Sequence, residues 1–389
     1  MPPGLRVSSI PLTPEAEGEQ PAAARARAPR VAVLGAGQLG RMLALSGHEL
    51  GLDLVFLDPS AGAPASKLSP QVVGDYADPE ALARIGQCDV VTYEFESVPV
   101  AAAELLERRV PVFPPAEALR VAQDRLTEKE CFRSLGIATP DFAAVGSERE
   151  LYAAGEQLGY PSVLKTRRLG YDGKGQRVLA SASDVGAAWA ELGRAPLILE
   201  RFVRFERELS LIAVRGRDGQ AVFYPLVENQ HRDGILRVTR APAQRVSAAL
   251  QARAEGYVRS LFDRLAYVGV LALELFDSGG ELLANELAPR VHNSGHFTIE
   301  GARTSQFENH LRAVLGWPLG STDVPEPCAM LNCVGTMPDP VEVLRVPGAH
   351  LHDYGKAPRP FRKLGHITVV GGAELESRIA ELALLAGVG

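Results

Sequence analysis

Cysteine is scarce in this 389-residue chain, which has only Cys88, Cys131, Cys328 and Cys333. None forms a Cys-x-x-Cys pair, and no nearby His or Cys completes a tetrahedral set around Cys328 and Cys333, so neither a zinc site nor a disulfide framework is indicated. Buried free thiols in a reducing compartment fit better, and the cytoplasm is the expected location. No apolar run approaches the ~20 residues that span a bilayer. Excess positive charge is also missing: the net charge of −6 offers no overall attraction for nucleic acid or an anionic membrane, although a local basic site remains open. The segment Met1 to Arg30 lacks the apolar centre of a secretory signal, and Glu15, Glu17 and Glu19 argue against a transit peptide. Its Pro, Ala, Glu and Arg composition reads as a disordered tail over residues 1–29. There is no Gly-x-x-x-x-Gly-Lys-Ser/Thr phosphate loop.

What is present is ample apolar material, 46% of residues with 23% charged, enough for two or three domains. Apolar strands at Arg30–Leu34, Leu54–Asp58, Val90–Tyr93 and Val110–Phe113 alternate with helical patterns, which predicts a parallel sheet with covering helices over residues 30–115. A helix is expected at Ala116–Leu135, stopped by Gly136 with Pro140 beyond. Strands are expected at Ser162–Lys165, Arg177–Ala180, Leu197–Phe202, Leu209–Arg215 and Ala221–Glu228, around a helix Glu148–Leu158. A hairpin follows, Val268–Phe276 and Leu282–Leu287 around Ser278-Gly279-Gly280, then a helix over Thr304–Leu315. These elements suggest a second domain over 116–322, and the Gly- and Pro-rich remainder a small β-rich module over 323–389.

Gly35-x-Gly37-x-x-Gly40 follows the first strand, with Asp58 ending the second. This satisfies the dinucleotide fingerprint, but its physics is general: a helix N-terminus offers orphan N–H groups to any anion, a mononucleotide phosphate included. The stronger signals lie later. Lys165 ends a buried-looking strand and Arg125 sits on a helix, each able to neutralise phosphate or simply to pair on the surface. Gly170-Tyr171-Asp172-Gly173-Lys174-Gly175-Gln176 is a flexible, glycine-rich connection whose N–H groups can wrap phosphates. An ordinary glycine-rich hairpin is the lesser, alternative reading of this segment on its own. Leu197–Val203 contains Glu200, Arg201 and Phe202 in an apolar strand suited to gripping adenine, with Glu208 near the ribose. Glu274 and Glu286 stand on the two arms of the hairpin, symmetric about Gly280. Opposed carboxylates repel unless a cation lies between them, and oxygen ligands with phosphates and water suit Mg²⁺. Glu274 lies among Leu271, Ala272, Leu273, Leu275 and Phe276, too apolar for a solvated arm. Arg290, His292 and Asn293 follow directly; His292 need not act as a base.

Taken in order, GAGQLGRM, TYEFE, QDRLTEK, YDGKGQ, FERELS, NELAPRVHNSGH and RKLGH resemble the ATP-grasp superfamily and, within it, the 5-(carboxyamino)imidazole ribonucleotide synthase family, over nearly all of the chain after Pro29. YDGKGQ and NELAPRVHNSGH are the specific motifs; GAGQLG is not. The resemblance implies a mixed α/β and α+β chain: an ATP-grasp fold with an N-terminal parallel α/β (preATP-grasp) domain and a small C-terminal β-rich domain, assembled as a homodimer. It implies ATP as cofactor with Mg²⁺ or Mn²⁺. The reaction implied is carboxylation of 5-aminoimidazole ribonucleotide with bicarbonate through carboxyphosphate, without nucleic-acid or membrane partners. By position, nucleotide binding is implied for Arg125, Lys165, the loop Gly170–Gln176, Glu200, Arg201, Phe202, Val203, Glu208, His231, Asn285 and Glu286, and metal binding for Glu274 and Glu286. Ribonucleotide and bicarbonate contacts are implied for Gln38, Glu94, Arg290, His292, Asn293, Lys356, Arg362 and Lys363, and a catalytic part for Tyr171, Asp172, Lys174, Arg290, His292 and Asn293. Competing readings are another ATP-grasp ligase, such as the formate-dependent glycinamide ribonucleotide transformylase or a biotin carboxylase; an NAD-dependent dehydrogenase; and a non-catalytic nucleotide sensor. Tyr171-Asp172 favours the first family, and the presence of both hairpin carboxylates disfavours the sensor.

Overall fold

The computed structural model describes residues 27–170 and 174–387; residues 1–26 of the proposed tail over 1–29 and the predicted loop residues Tyr171, Asp172 and Gly173 lie outside them, while Arg27 pairs with Asp89 and the Pro29 carbonyl accepts the Asp53 N–H. The first unit has the expected alternation. Strands β1 (Arg30–Leu34), β2 (Asp53–Asp58), β3 (Gln71–Val73) and β4 (Val90–Tyr93) form a parallel sheet in the order β3-β2-β1-β4. They are wrapped by α1 (Gln38–Glu49), α2 (Pro79–Ile85) and α3 (Val100–Glu107). The expected strand Val110–Phe113 is a single parallel bridge, Val91 to Val112.

The long helix expected at Ala116–Leu135 is two helices, α4 (Ala116–Ala122) and α5 (Arg125–Ser134). Asp124 breaks it: its backbone is extended and its side chain accepts the N–H groups of Leu126 and Thr127, an N-cap that ends one helix and starts the next. Next come β5 (Phe142–Val145), α6 (Glu148–Leu158), β6 (Ser162–Thr166), β7 (Gln176–Leu179), α7 (Val185–Leu192) and β8 (Leu197–Arg201); the strands form an antiparallel sheet in the order β5-β8-β6-β7. The glycine-rich loop therefore connects two adjacent strands, β6 and β7.

The remaining strands belong to one large sheet: β9 (Arg207–Arg215), β10 (Ala221–Phe223), β11 (Val227–Arg232), β12 (Ile235–Ala241), β13 (Gly269–Ser278), β14 (Glu281–Ala288), β15 (Cys328–Val334), β16 (Ala349–Asp353) and β17 (Lys363–Val370). The strand expected at Ala221–Glu228 is broken into β10 and β11 because Pro225 between them has no N–H for a ladder. Neither β12 nor the 17-residue helix α8 (Ala248–Arg264) was anticipated, although Leu250, Ala254, Val258 and Leu261 carry a helical period. Helices α9 (Thr298–Gly301), α10 (Gln306–Leu315), α11 (Pro340–Arg345) and α12 (Leu375–Leu385) complete the described chain.

The central strands β9 and β13 of the large sheet are buried on both faces, which explains the apolar run from Gly269 to Leu273. Leu271, Leu273 and Leu275 join Leu209 and Leu211 against α8, while Val270 and Ala272 join Ile212 and Val214 against α10 and β1. Strand β15 pairs with both β12 and β17, so the C-terminal segment extends this sheet. Cys328 and Cys333 are buried in two different clusters on β15, and all four cysteines are free. Among the described residues no helix is long and apolar enough to cross a membrane.

Candidate active site

The glycine-rich turn after β1 is filled by a protein carboxylate. Glu94, at the end of β4, accepts the N–H groups of Gly37 and Gly40, each at 2.7 Å, and Asp58 accepts that of Ala36 at 3.0 Å. A Cβ at Gly37 would lie 2.6 Å from a Glu94 oxygen, and one at Gly35 would lie 2.5 Å from Glu94 Cγ. Of the N–H groups at the N-terminus of α1 that the sequence offered to a phosphate, those of Gly37 and Gly40 are therefore taken by Glu94, and Gly35 and Gly37 are small so that Glu94 can reach them. Burial raises the pKa of Glu94 despite these two hydrogen bonds. Lys356 Nζ donates to Gln38 Oε1 at 2.7 Å, which brings the C-terminal segment onto the start of α1 as expected. Burial, helped by the neighbouring Arg362, holds Lys356 down at about 8. Arg290 hydrogen-bonds the carboxylate of Glu96, two residues beyond Glu94. Although burial opposes the charge on Glu96, Arg290 prevails and holds it at about 2. Gln38, Glu94, Arg290 and Lys356 thus form one neighbourhood. Arg362 lies at its rim, donating to the Ala357 carbonyl at 3.2 Å.

A second neighbourhood lies between the two antiparallel sheets. Glu274 and Glu286 pair directly across β13 and β14. Burial and the Glu286 charge push Glu274 up to about 7. Glu286 is held low because, against its burial, Arg125 Nη1 donates to it at 3.0 Å. Across the gap, Lys165 Nζ donates to Glu200 Oε2 at 3.0 Å, and Lys129 lies 3.5 Å from the same oxygen. These two lysines outweigh burial and keep Glu200 at about 2. Glu200 Oε1 is buried without a hydrogen-bond partner. His231 Nδ1 lies 2.6 Å from Glu208 Oε2; burial disfavours its charge, but that hydrogen bond and the Glu274 charge together raise its pKa. Beyond Glu200, Arg201 and Phe202 are exposed and Val203 is half-buried.

His292 and Asn293 adjoin this pair. The Ser294 N–H donates to His292 Nδ1, so the neutral ring carries its proton on Nε2, which faces Glu274 Oε1 at 3.5 Å. Burial and the Arg290 charge hold His292 down at about 3, so it is neutral near pH 7. Asn293 exchanges two side-chain hydrogen bonds with Asn332 of β15, at 3.0 and 2.7 Å. Lys363 acts electrostatically on Glu274, His231, His292 and Lys356 alike, which sets it between the two neighbourhoods. The glycine-rich connection is anchored at its root: Asp124 accepts two hydrogen bonds from Arg167, at 2.9 and 2.8 Å, and Gly175 O accepts from the Thr166 N–H. Gly170 and Gly175 flank Thr166, and Gln176 pairs with Lys165. Asp124, Arg167, Glu96, Glu128, Lys129 and Asn332 were not singled out from the sequence as site residues. The contacts that bring them to the site are to residues 39 or more positions away, so local pattern could not reveal them.

The donor set suits a hard divalent cation: two half-buried carboxylates that repel each other, with one pushed to about 7, form a place where a cation would favour both charges. Among the described residues no group of three or more His, Cys, Asp or Glu that could hold a metal ion gathers.

The chain matches the ribonucleotide synthetase preATP-grasp domain over residues 29–123, the ATP-grasp domain over 130–307 and the phosphoribosylaminoimidazole carboxylase C-terminal domain over 328–378. It is 54% identical over 359 residues, covering 92% of this chain and 99% of the relative, to an N5-carboxyaminoimidazole ribonucleotide synthase of Pseudomonas aeruginosa. The corresponding enzyme of Brucella melitensis is 47% identical, over 87% of this chain and 95% of the relative. Among solved structures, the N5-carboxyaminoimidazole ribonucleotide synthetase of Thermus thermophilus superposes with a TM-score of 0.88 at 54% identity, covering 91% of this chain and 98% of that one. The synthase of Aspergillus clavatus in complex with ADP and 5-aminoimidazole ribonucleotide superposes at 0.86 and 35% identity, covering 92% and 99%.

Proposed function

The chain belongs to the N5-carboxyaminoimidazole ribonucleotide synthase family, and from that premise we infer how its own residues carry out the ATP-dependent carboxylation of 5-aminoimidazole ribonucleotide in purine biosynthesis. The observation that carries the assignment of parts is the in-register pair Glu274 and Glu286, both half-buried, facing Lys165 and Glu200 across the gap between two sheets. ATP lies in that gap. Lys165, Arg125 and the backbone of the lid neutralise its phosphates, Glu208 and His231 hold the ribose end, and Glu200 to Val203 line the adenine. Glu274 and Glu286 are the residues that would hold Mg²⁺, which when bound supplies charge neutralisation at the β- and γ-phosphate oxygens.

A bicarbonate oxygen attacks the γ-phosphorus in line, the bond to the ADP oxygen breaks, and carboxyphosphate forms. Phosphoryl transfer asks for alignment and charge neutralisation more than covalent help, which is what a set of fixed cations and N–H groups supplies. The amine of the ribonucleotide then bonds to the carboxyl carbon as the C–O bond to phosphate breaks, and the amine proton passes to a base. Asp172 of the lid is suited to that role. A closed lid keeps water from the intermediate. The ribonucleotide lies toward Gln38, Arg290 and Lys356, with Lys363 between it and the phosphates of ATP; Asn293, fixed by Asn332, lines the passage with neutral His292. Four free cysteines support a reducing, cytoplasmic setting, and a homodimer is the assembly we propose.

ADP release measured with each candidate pair of substrates tests this reading. Turnover should require bicarbonate together with 5-aminoimidazole ribonucleotide. Efficient turnover with formate and glycinamide ribonucleotide, and none with the first pair, would reassign the chain within the superfamily.

A further inference from the structure

Turn geometry alone does not place Glu286 opposite Glu274. From the tip of the hairpin, Ser278 pairs with Glu281, Asp277 with Leu282, Phe276 with Leu283 and Leu275 with Ala284. Continued, that register would set Glu274 opposite Asn285 and Glu286 opposite Leu273. Side chains alternate between faces along a strand, so Glu286 would then point with Leu273 and Leu275 into the apolar layer beneath α8. Instead the register shifts by one, Asn285 is the extra residue of a β-bulge, and Glu286 turns to the Glu274 face.

The bulge is held from outside the sheet by two consecutive residues of α5. Lys129 Nζ donates to the Asn285 carbonyl at 2.7 Å and the Ala284 carbonyl at 3.2 Å, and Glu128 Oε1 accepts the Leu287 N–H at 2.7 Å. Three backbone groups around the extra residue are thus engaged by side chains that are 2% and 0% exposed. A fully buried ammonium is costly unless well paired, so its placement against two carbonyls is a specific arrangement rather than a solvated one. The same Nζ lies 3.5 Å from Glu200 on β8, whose carboxylate also binds Lys165. One side chain therefore touches both the hairpin with the two carboxylates and the strand on the opposite wall.

We propose that Glu128 and Lys129 are positioning residues: they lock the bulge at Asn285, which keeps Glu286 opposite Glu274, and Lys129 ties that register to Glu200 across the gap. The proposal rests on the reading of Glu274 and Glu286 as the cation-binding pair, and its test separates the two.

Lys129→Met keeps the length and burial of the side chain and removes its donors. In the full chain without ligands, amide hydrogen exchange over residues 284–288 should rise by at least about tenfold while β9 and α10 stay as in the wild type. The Mg²⁺ concentration needed for half-maximal ADP formation should rise by at least about tenfold as well, with Lys129→Arg recovering part of both effects. Unchanged exchange over 284–288, or a uniform rise across the sheet, overturns the lock. Raised exchange with an unchanged Mg²⁺ requirement overturns the claim that the lock serves the site. Glu286→Gln then identifies the fault: if it too leaves the Mg²⁺ requirement unchanged, the cation-site reading has failed rather than the lock. Should Lys129→Met not fold, Glu128→Met, which removes the acceptor for the Leu287 N–H and a carboxylate beside Lys129, takes its place with the same expected and overturning results.

Discussion

Glu274 and Glu286 face each other across β13 and β14 because Asn285 is an extra residue between Ala284 and Glu286. The consequence is two half-buried carboxylates on one face, one of them pushed up to about 7 by desolvation and by the other. An arrangement that disfavours its own charge in the absence of a cation is suited to binding one.

Replacing Glu286 by Gln should therefore reduce ADP formation by ~100-fold or more, since charge neutralisation at phosphate contributes several kcal/mol. Folding should change little: the variant loses the Arg125 partner but also loses the repulsion with Glu274. Steady-state rates at saturating Mg²⁺, read beside a melting curve, check this. Near-wild-type turnover with unchanged melting would remove Glu286 from the site.

Lys363 stands between the two neighbourhoods, and a ribonucleotide phosphate needs several cationic donors. A charge-assisted hydrogen bond is worth roughly 1.5–3 kcal/mol, so Lys363→Ala should raise KM for the ribonucleotide by roughly tenfold to a hundredfold, with KM for ATP moving much less. The comparison with the unphosphorylated riboside is decisive. Equal weakening of both would mean that Lys363 does not contact the phosphate.

Lys356, held at about 8, gives a pH signature. It is cationic below that value and loses its charge above it, so kcat/KM for the ribonucleotide, which reports the free enzyme, should fall as pH rises through about 8. Lys356→Arg should move this descending limb upward, because an arginine keeps its charge over the whole range. An identical limb in the variant would assign it to another group.

The glycine-rich turn should bind neither NADH nor NADPH. Its N–H groups at Gly37 and Gly40 already hold Glu94, and a pyrophosphate would have to displace a buried carboxylate. Fluorescence titration checks this. Micromolar binding competitive with the ribonucleotide would contradict it.

The sequence made local features legible: a carboxylate in each arm of a hairpin and a glycine-rich connection between strands. It did not reveal what those parts are held by. Counting symmetrically about Gly280 pairs Glu274 with Glu286, but the tip register is centred half a residue earlier, and only the bulge restores the pairing. The glycines after β1 read as a dinucleotide signature because their actual partner, Glu94, lies 57 positions from Gly37. The contact between Gln38 and Lys356 spans 318 positions. The break at Asp124 was misread because a carboxylate inside a helical pattern carries no mark of being a cap until its hydrogen bonds are seen. Helix α8 was legible and overlooked, its apolar residues being spaced as a helix requires.

The central claim is that ATP phosphorylates bicarbonate, so that a bicarbonate oxygen ends on the released phosphate. The most direct measurement is the mass of inorganic phosphate formed from unlabelled ATP and ¹⁸O-labelled bicarbonate in the presence of 5-aminoimidazole ribonucleotide. The account predicts one ¹⁸O atom per phosphate, carried over when the C–O bond of carboxyphosphate breaks. Phosphate free of the label, formed at the same rate as the carboxylated ribonucleotide, would contradict it.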